Sequence, residues 1–298
     1  MLQRAAMMVG QVDDAIAQRQ TSEASGWSLW GRLLGGKANR DAKSGTESYN
    51  VTTAGLAVGA DARIGNDWLV GGAFSWMNGW NGGKGLFAGD ANGVASYQLN
   101  AYAAWTKGAL HLYADAAAGR DRYNQHRAMS YLAEGAQASY DGYHYALSVG
   151  GDYAIPMGSV TVSPTAKIDW LGLHRDHYAE TGAGTEGLRV SSFFGNQLES
   201  GLGAKLAWNR PTSLGLLVPE IKVLWAHDFV NGATGTDADL GGIDFTTRTA
   251  RIAPNGAKIG VDLALYRNDG LSFRIGYGGD FRSGYTANTA DIRFGIAF

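Results

Sequence analysis

The sequence predicts an all-β membrane barrel, namely a 12-stranded antiparallel outer-membrane β-barrel with an N-terminal α-helix threading the lumen. Three observations predict this fold. Twelve segments alternate large apolar residues with charged or very small ones, short turns alternate with long loops between them, and an amphipathic stretch precedes them all. Alternation with a period of two indicates strands, and a barrel can turn one face of every strand to lipid.

The last eight residues, 291–298, show the alternation without a break. Their large apolar residues are Ile292, Phe294, Ile296 and Phe298, and the opposite set is Asp291, Arg293, Gly295 and Ala297. In a soluble sandwich the apolar face would meet a core, whereas in a membrane barrel it would meet lipid. This strand alone leaves both possibilities open, so the rest of the chain has to decide.

The composition excludes several classes of function. The net charge of −2 gives no sign of nucleic-acid binding, and the absence of cysteine excludes disulfides and thiolate metal sites. We expect no cofactor and no enzymatic activity. No apolar stretch approaches eighteen residues, so no transmembrane helix is predicted. The N-terminus lacks the apolar core of a secretory signal, so we expect any export signal to lie upstream.

Residues 1–20 form the one segment with helical periodicity. Its apolar stripe consists of Leu2, Ala5, Val9, Val12 and Ile16, at steps of three and four. Twenty helical residues reach about 30 Å, which is the thickness of a membrane core, but the stripe is too narrow for a lipid-spanning helix. We name residues 1–20 the plug helix. The sequence divides into residues 1–25, a pore-spanning helix with its connector, and residues 26–298, the barrel.

From residue 27 onward the helical period disappears and alternation takes over. Most of the alternating segments are longer than the mean soluble strand of about 5–6 residues, and many reach the roughly 9–11 residues that cross a bilayer. The twelve segments are 27–35, 48–64, 67–78, 93–107, 109–123, 140–155, 158–173, 194–208, 214–229, 256–267, 271–281 and 286–298.

The two faces of these strands differ in chemistry. The predicted outward face is aromatic and aliphatic, for example Tyr143, Tyr145, Leu147 and Val149, whereas Gly, Ala and charges share the other face. A soluble barrel would place its apolar face inside. The charged residues predicted to line the lumen are Arg32, Asp61, Asp115, Asp152, Lys167, Asp169, Glu199, Lys205, Glu220, Lys222, Asp262, Arg274 and Arg293.

Connections of two lengths alternate along the chain. The short ones are rich in Gly, Asn and Asp, and the long ones cover 36–47, 79–92, 124–139, 174–193 and 230–255. Short turns on one side and long loops on the other are typical of outer-membrane barrels, with the turns in the periplasm. The outward aromatics next to the short turns predict an interfacial girdle of Trp68, Trp105, Tyr153 and Trp208.

A twelve-stranded lumen lies between the filled interior of about eight strands and the open channel of about sixteen. It should hold one helix, roughly 10–12 Å wide. Inward Gly and Ala would make room for that helix, and inward charges would supply a polar wall. A helix of membrane length directly before the first strand therefore predicts a translocator, in which the chain before residue 1 emerges at the cell surface.

The sequence resembles the C-terminal translocator domains of type V autotransporters. The resemblance rests on the leading helix, on residues 26–32, 217–220 and 225–228, and on the terminal residues 293–298. It implies a bacterial outer-membrane location, export of a covalently linked N-terminal passenger, and a monomeric barrel in outer-membrane lipid. It also implies that the barrel-assembly machinery reads the last strand through Phe294, Ile296 and Phe298.

Some relatives cut the passenger free inside the pore with an Asn on the helix. This sequence has no Asn before Asn39, which falls in a predicted surface loop. Cleavage at an intrabarrel Asn is therefore not expected, whereas cleavage upstream of residue 1, or none, remains open.

Two other functions compete with export. An outer-membrane phospholipase or protease needs a histidine near Ser or Asp at the rim, but His144 and Ser148 are about 13 Å apart along one strand. We interpret His174 and His177 as loop histidines. The letters of a dinucleotide motif at 182–187 lie in a long loop with no helix after it. A diffusion porin could also use a charged lumen, but it would not need residues 1–20.

Overall fold

A computed structural model describes residues 26–42, 48–83, 88–129, 135–230, 235–248 and 252–298. Twelve long strands of 12–18 residues form the body of the molecule. They are β1 (Trp27–Arg40), β2 (Tyr49–Ile64), β3 (Trp68–Gly82), β4 (Ala91–Lys107), β5 (Leu110–Arg127), β6 (Ala136–Tyr153), β7 (Val160–Arg175), β8 (Phe193–Trp208), β9 (Gly215–Asp228), β10 (Asn255–Tyr266), β11 (Leu271–Arg282) and β12 (Tyr285–Ala297).

The twelve strands close into a barrel. Each strand pairs antiparallel with the next one in the chain, and β1 pairs with β12 in the register Leu33 to Ile292. The predicted closed barrel of twelve antiparallel strands is confirmed, and each predicted segment overlaps one strand. The predicted plug helix lies outside the described residues.

The two ends of the barrel differ. At one end, which we call the turn end, hairpins are tight, and Gly65, Gly108, Gly158 and Gly270 adopt φ between 60° and 83°. Glycine reaches this left-handed region without the steric penalty of a Cβ atom, which explains the turn chemistry seen in the sequence. Two turn-end connections carry short strand extensions, Ile155–Met157 and Arg210–Thr212. The opposite end, the loop end, carries the long connections, except that β11 and β12 are joined by a short turn there.

The loop end contains more strand than predicted. Arg40 and Arg127, predicted in loops, end β1 and β5, because strand pairing continues beyond the alternating apolar residues. The predicted loops 174–193 and 230–255 also form a small antiparallel sheet of their own. Its strands are Tyr178–Ala179, Leu188–Val190, Gly235–Leu240 and Ile243–Arg248, and a 3₁₀ turn covers Gly184–Glu186. We call it the loop sheet.

Burial has the sense expected of a barrel in lipid. Large apolar side chains such as Leu99, Leu147, Val149 and Ile275 are at least half exposed, whereas charged residues on the opposite face are buried. None of the described residues belongs to a helix long and apolar enough to cross a membrane.

Candidate functional site: the polar lumen

The face opposite the exposed apolar residues is lined by charges. All thirteen residues predicted for the lumen lie on this inward face, and their role in passing a polypeptide stays a prediction. Glu220 and Lys222 are half-buried on β9, alternating with the exposed Ile221 and Val223. The buried ones are Arg32, Asp61, Asp115, Asp152, Glu199, Arg274 and Arg293, and Lys167, Asp169, Lys205 and Asp262 are largely covered.

Near the turn end, an aromatic network joins β1, β2 and β4. Trp30 Nε1 donates to Tyr102 Oη at 2.8 Å, and Tyr102 Oη donates to Asp61 Oδ2 at 3.1 Å. Ser28 donates to the other oxygen of Asp61. Because Asp61 is almost completely buried, these hydrogen bonds replace the water that its carboxylate loses.

Three arginines lie beside this network. Arg32 binds Asp291 with two hydrogen bonds of 2.8 and 3.0 Å, and Arg274 binds Asp262 at 2.8 Å. Arg293 lies with its guanidinium 4.4 Å from the ring centroid of Trp30, a cation–π contact. The three arginines at the turn end of the lumen are therefore balanced by three carboxylates, those of Asp61, Asp262 and Asp291.

Midway along the lumen, His144 is completely buried on β6. Its Nδ1 lies 2.9 Å from Asp121 Oδ2, and its Nε2 lies 2.9 Å from Gln98 Oε1. Ser96 donates to the second oxygen of Asp121. The structure thus separates His144 from Ser148, which donates instead to Asp169 at 2.7 Å.

On the opposite wall, the inward charges form ion pairs both across strands and along one strand. Glu199 of β8 binds both Lys258 of β10 and Arg282 of β11, so the contact passes over the inner face of β9. Lys167 binds Asp169 at 2.8 Å along β7. Such pairs stabilise the positions of the polar side chains that line the inner wall.

Nearer the turn end of that wall, Asp152 has one partner on the adjacent strand β5 and another on β8, beyond β7. Lys205 Nζ lies 3.3 Å from Oδ2, and His111 Nδ1 lies 3.3 Å from Oδ1. The carboxylate therefore links β6 to β5 and β8.

At the loop end, the connection after β7 folds over the inner face of β5 and β6. The fully buried side chain of Glu180 accepts hydrogen bonds from Arg127 (Nη2 to Oε2, 2.6 Å), from Gln125, and from the backbone N–H of Leu188. Burial raises the pKa of Tyr178 above its ordinary value. Because Arg127 and Gln125 point inward, this connection narrows the mouth of the lumen.

An aromatic stack holds the same connection from the other side. Tyr140 stacks on Tyr178 at 4.1 Å between ring centroids and on Tyr123 at 5.1 Å, and Arg175 lies over the ring of Tyr178. The long loop therefore has a defined position against the barrel wall.

Several inward glycines lie beneath large side chains of neighbouring strands. A Cβ atom on Gly59 would lie 2.4 Å from the Trp30 ring, and one on Gly71 would lie 2.3 Å from the Tyr102 ring. One on Gly119 would meet the His144 ring at 2.3 Å. These glycines let large side chains of neighbouring strands lie flat against the wall.

The outward aromatics form bands at both ends of the apolar wall. The predicted girdle residues lie at the turn end: Trp68 and Tyr153 are about half exposed, Trp105 and Trp208 are half-buried, and Trp68 faces Trp105 in the strand register. The loop-end band was not predicted. It includes Trp80, Tyr97, Tyr143, Phe194, Trp225, Tyr277 and Phe281.

The last strand is held on both sides. The backbone N–H of Phe298 donates to the carbonyl oxygen of Trp27 at 3.0 Å. Phe294 meets Phe273 edge to face at 5.3 Å, and Phe294, Ile296 and Phe298 are exposed on the outer face.

The remaining histidines do not assemble a catalytic or metal site in the described residues. His174, predicted in a loop, lies on β7, stacks on Tyr143 at 4.6 Å and contacts Asp176 at 3.1 Å. Strand pairing with Phe194 extends β7 that far. Within the part of the chain that the structure describes, no group of three His, Cys, Asp or Glu side chains could hold a metal ion.

Several residues of the inner wall are absent from the predicted set. Trp30, Tyr102 and His144 have inward parity on their strands, so the alternation itself carries the signal for them. Lys258, Arg282 and Asp121 also have inward parity and were omitted. Glu180 carries no such signal, because it lies in a loop.

A closed twelve-stranded barrel with an apolar outside, two aromatic bands and a narrow polar inside is an outer-membrane β-barrel. A family model described as "Autotransporter beta-domain" matches residues 29–278, so the chain belongs to the autotransporter β-domain family. It is an outer-membrane translocator domain of type V secretion.

Three comparisons give the extent of the similarity. Outer membrane protein B of Rickettsia japonica is 24% identical over 289 residues, covering 91% of this chain but 17% of that protein. The translocator domain of autotransporter NalP from Neisseria meningitidis has a TM-score of 0.76 at 18% identity and covers 99% of this chain and 96% of that one. The transport unit of autotransporter AIDA-I from Escherichia coli has a TM-score of 0.72 at 16% identity, covering 94% and 92%.

Proposed function

We propose that this barrel exports a covalently linked N-terminal passenger through its lumen and anchors it at the cell surface. The observation that carries this proposal is the inner wall, where buried charges are paired against the wall and large side chains lie flat over glycines. We infer that a lumen built this way is polar and leaves room for a polypeptide along its axis. A polypeptide can move through it without meeting an apolar surface that would retain it.

The plug helix, residues 1–20, would occupy that axis. Its apolar residues Leu2, Val9, Val12 and Ile16 form a narrow stripe, and the rest of its surface is polar. β1 begins at Trp27 at the turn end, so a chain that runs back through the lumen from there reaches the loop end after about 30 Å. In this arrangement residues 1–25 are a linker unit and residues 26–298 are the barrel.

The turn end would face the periplasm, and the loop end would face the outside, where the passenger emerges. The even number of strands supports this orientation, because it brings Trp27 and Phe298 to the same end. The barrel would act as a monomer in outer-membrane lipid. The assembly machinery would bind the last strand through Phe294, Ile296 and Phe298, which are exposed.

The barrel itself would not be an enzyme, and any activity would belong to the passenger. In support of this, both oxygens of Asp121 are occupied by His144 and Ser96, and His144 uses its other nitrogen on Gln98. The ring of this histidine lies over Gly119 and is completely buried, which does not suit a catalytic histidine.

Conductance in planar bilayers tests the plug helix. We expect deletion of residues 1–20 to increase single-channel conductance while the barrel remains folded, as checked by its heat-dependent mobility on gels. Unchanged conductance would contradict a helix in the lumen. A second variant keeps the full chain length and replaces Leu2, Val9, Val12 and Ile16 by serine. Its plug helix should be polar and partly displaced, so its conductance should lie between those of the parent chain and the deletion.

Export is tested separately, in cells. A signal peptide and a protease-sensitive reporter are joined upstream of residue 1, and external protease is added to intact cells. We expect the reporter to be digested from outside. A reporter that stays protected in cells with a folded barrel would overturn export.

A further inference from the structure

Two arginines lie on the outer, lipid-facing surface near the loop end. Arg120 and Arg122 of β5 are 65% and 67% exposed, and they share the outward face with Leu112. Such residues are rare on this surface. Among the described outward-facing residues of the twelve strands, the acidic and basic side chains are Lys37, Lys107, Arg120, Arg122 and Asp141.

The height of these arginines matches a membrane boundary. Arg120 follows Leu110, the first residue of β5, by ten positions. At about 3.3 Å per residue and a tilt of about 40°, ten residues rise about 25 Å, which is the height of the apolar band of such barrels. Tyr97 and Tyr143 are the register partners of Arg120 on either side, and both are exposed in the loop-end aromatic band. Arg120 therefore lies at headgroup level and Arg122 lies just beyond it.

The patch carries a surplus of positive charge. Asp141 accepts from Arg120 at 2.7 Å, and its second oxygen lies 3.8 Å from Arg122 Nε. One carboxylate therefore serves two guanidinium groups, and one positive charge is left over. A guanidinium group presents a planar fork of donors that fits two oxygens of a phosphate.

The residues below and above the arginines match the order of apolar and polar groups in a lipid. Below them, toward the membrane centre, small outward side chains of β4 and β5 lie together, and we call this strip the apolar groove because each of its residues carries only a methyl group. Its residues are Ala101, Ala103, Ala114, Ala116 and Ala118. Above them, Asn124 and Ser139 are exposed and share a hydrogen bond of 2.8 Å. The order is apolar groove, cationic pair and polar donors, as in acyl chain, phosphate and sugar.

We propose that Arg120 and Arg122 bind the phosphate of a glycolipid in the outer leaflet, with an acyl chain along the alanine groove. The site rests on the orientation given under Proposed function, in which the loop end faces outward. Asp141 competes with the phosphate for both arginines and keeps the site exchangeable.

Native mass spectrometry of the refolded full chain tests this site. The probes are diphosphorylated lipid A, the same lipid with both phosphates removed, and phosphatidylcholine. We expect the chain to retain diphosphorylated lipid A, and Arg120→Gln/Arg122→Gln to weaken retention about tenfold or more. Asp141→Asn should strengthen retention, because it removes the competitor. Lys37→Gln is the matched control, an outward cation ten positions along β1, and should bind like the parent chain.

The site would be overturned by equal retention by the double arginine variant, by weaker retention by Asp141→Asn, or by equal retention of the dephosphorylated lipid. Complete displacement of lipid A by an equal concentration of inorganic phosphate would also overturn it, because the lipid would then contribute nothing. If the double variant does not fold, Asp141→Asn still decides. Lipid retention does not require export, so a failed reporter assay and a failed lipid assay are distinct outcomes.

Discussion

Trp30 and Tyr102 share a hydrogen bond of 2.8 Å that joins β1 to β4 across the inner faces of β2 and β3. Gly59 of β2 and Gly71 of β3 lie directly beneath the two rings. The bond can form only because neither position carries a side chain. Trp30 and Tyr102 are 72 residues apart in the chain, and their contact thus depends on two glycines that lie on other strands.

Gly71→Val should therefore destabilise the barrel. The new side chain would overlap the ring of Tyr102, and overpacking of this kind costs about 1–3 kcal/mol. Urea unfolding of the refolded barrel in lipid, followed by tryptophan fluorescence, measures the change. Gly72→Val is the control on the neighbouring, exposed residue, whose Cβ would come no closer than 3.4 Å to another atom. Equal loss in both variants would show that the ring contact does not matter.

The sequence predicts which way a side chain points far better than what it contacts. Alternation predicts that Asp61 and Glu199 lie on the inner face, because successive side chains of a strand point to opposite faces and this can be read within each strand. It could not pair Asp61 with Tyr102 or Glu199 with Lys258, since these contacts skip a strand and depend on register and barrel curvature. The loop sheet escaped prediction for another reason. Strands such as Ile243–Arg248 are exposed throughout, so no apolar alternation marks them.

Glu199→Gln should also destabilise the barrel, and by more. The variant leaves Lys258 and Arg282 close together on the inner wall without the carboxylate that both bind. Breaking a buried ion pair by removing one partner costs about 3–5 kcal/mol, and we expect the lower end of that range because Arg282 keeps its pair with Asp280 at 3.0 Å. The same urea titration measures it, with Asp269→Asn, on an exposed turn-end pair with Arg267, as a control that should not shift the midpoint. A midpoint equal to that of the parent chain would mean that the lumen compensates with water.

Removal of Phe298 should separate assembly in cells from folding in vitro. We expect the folded barrel to fall to a minor fraction in the outer membrane, because the terminal aromatic of β12 would no longer be read by the assembly machinery. Refolding into detergent should be nearly unchanged, since Phe298 is exposed and adds one backbone hydrogen bond, to Trp27. Phe281→Ala is the control, because Phe281 is also an outward aromatic but lies near the loop end, on β11. A parallel loss in both settings would make Phe298 a simple stability residue.

Glu180→Gln should release the connection after β7 from the mouth of the lumen. Glu180 accepts from Arg127, Gln125 and the backbone of Leu188, and the glutamine amide would turn a donor toward one of these donors. Loss of charged hydrogen bonds in a buried site costs about 1.5–3 kcal/mol, so local opening should become roughly ten- to a hundredfold more frequent.

Trypsin cleavage after the exposed Arg189 measures this opening, with the site identified by mass spectrometry. The rate should rise with the opening frequency, because cleavage of a briefly opened loop follows its population. Asp244→Asn, on an exposed strand of the same loop sheet, should be cleaved like the parent chain. If Glu180→Gln is cleaved no faster, the tyrosine stack around Tyr178 alone holds the loop, and a second variant, Tyr178→Ala, should then release it.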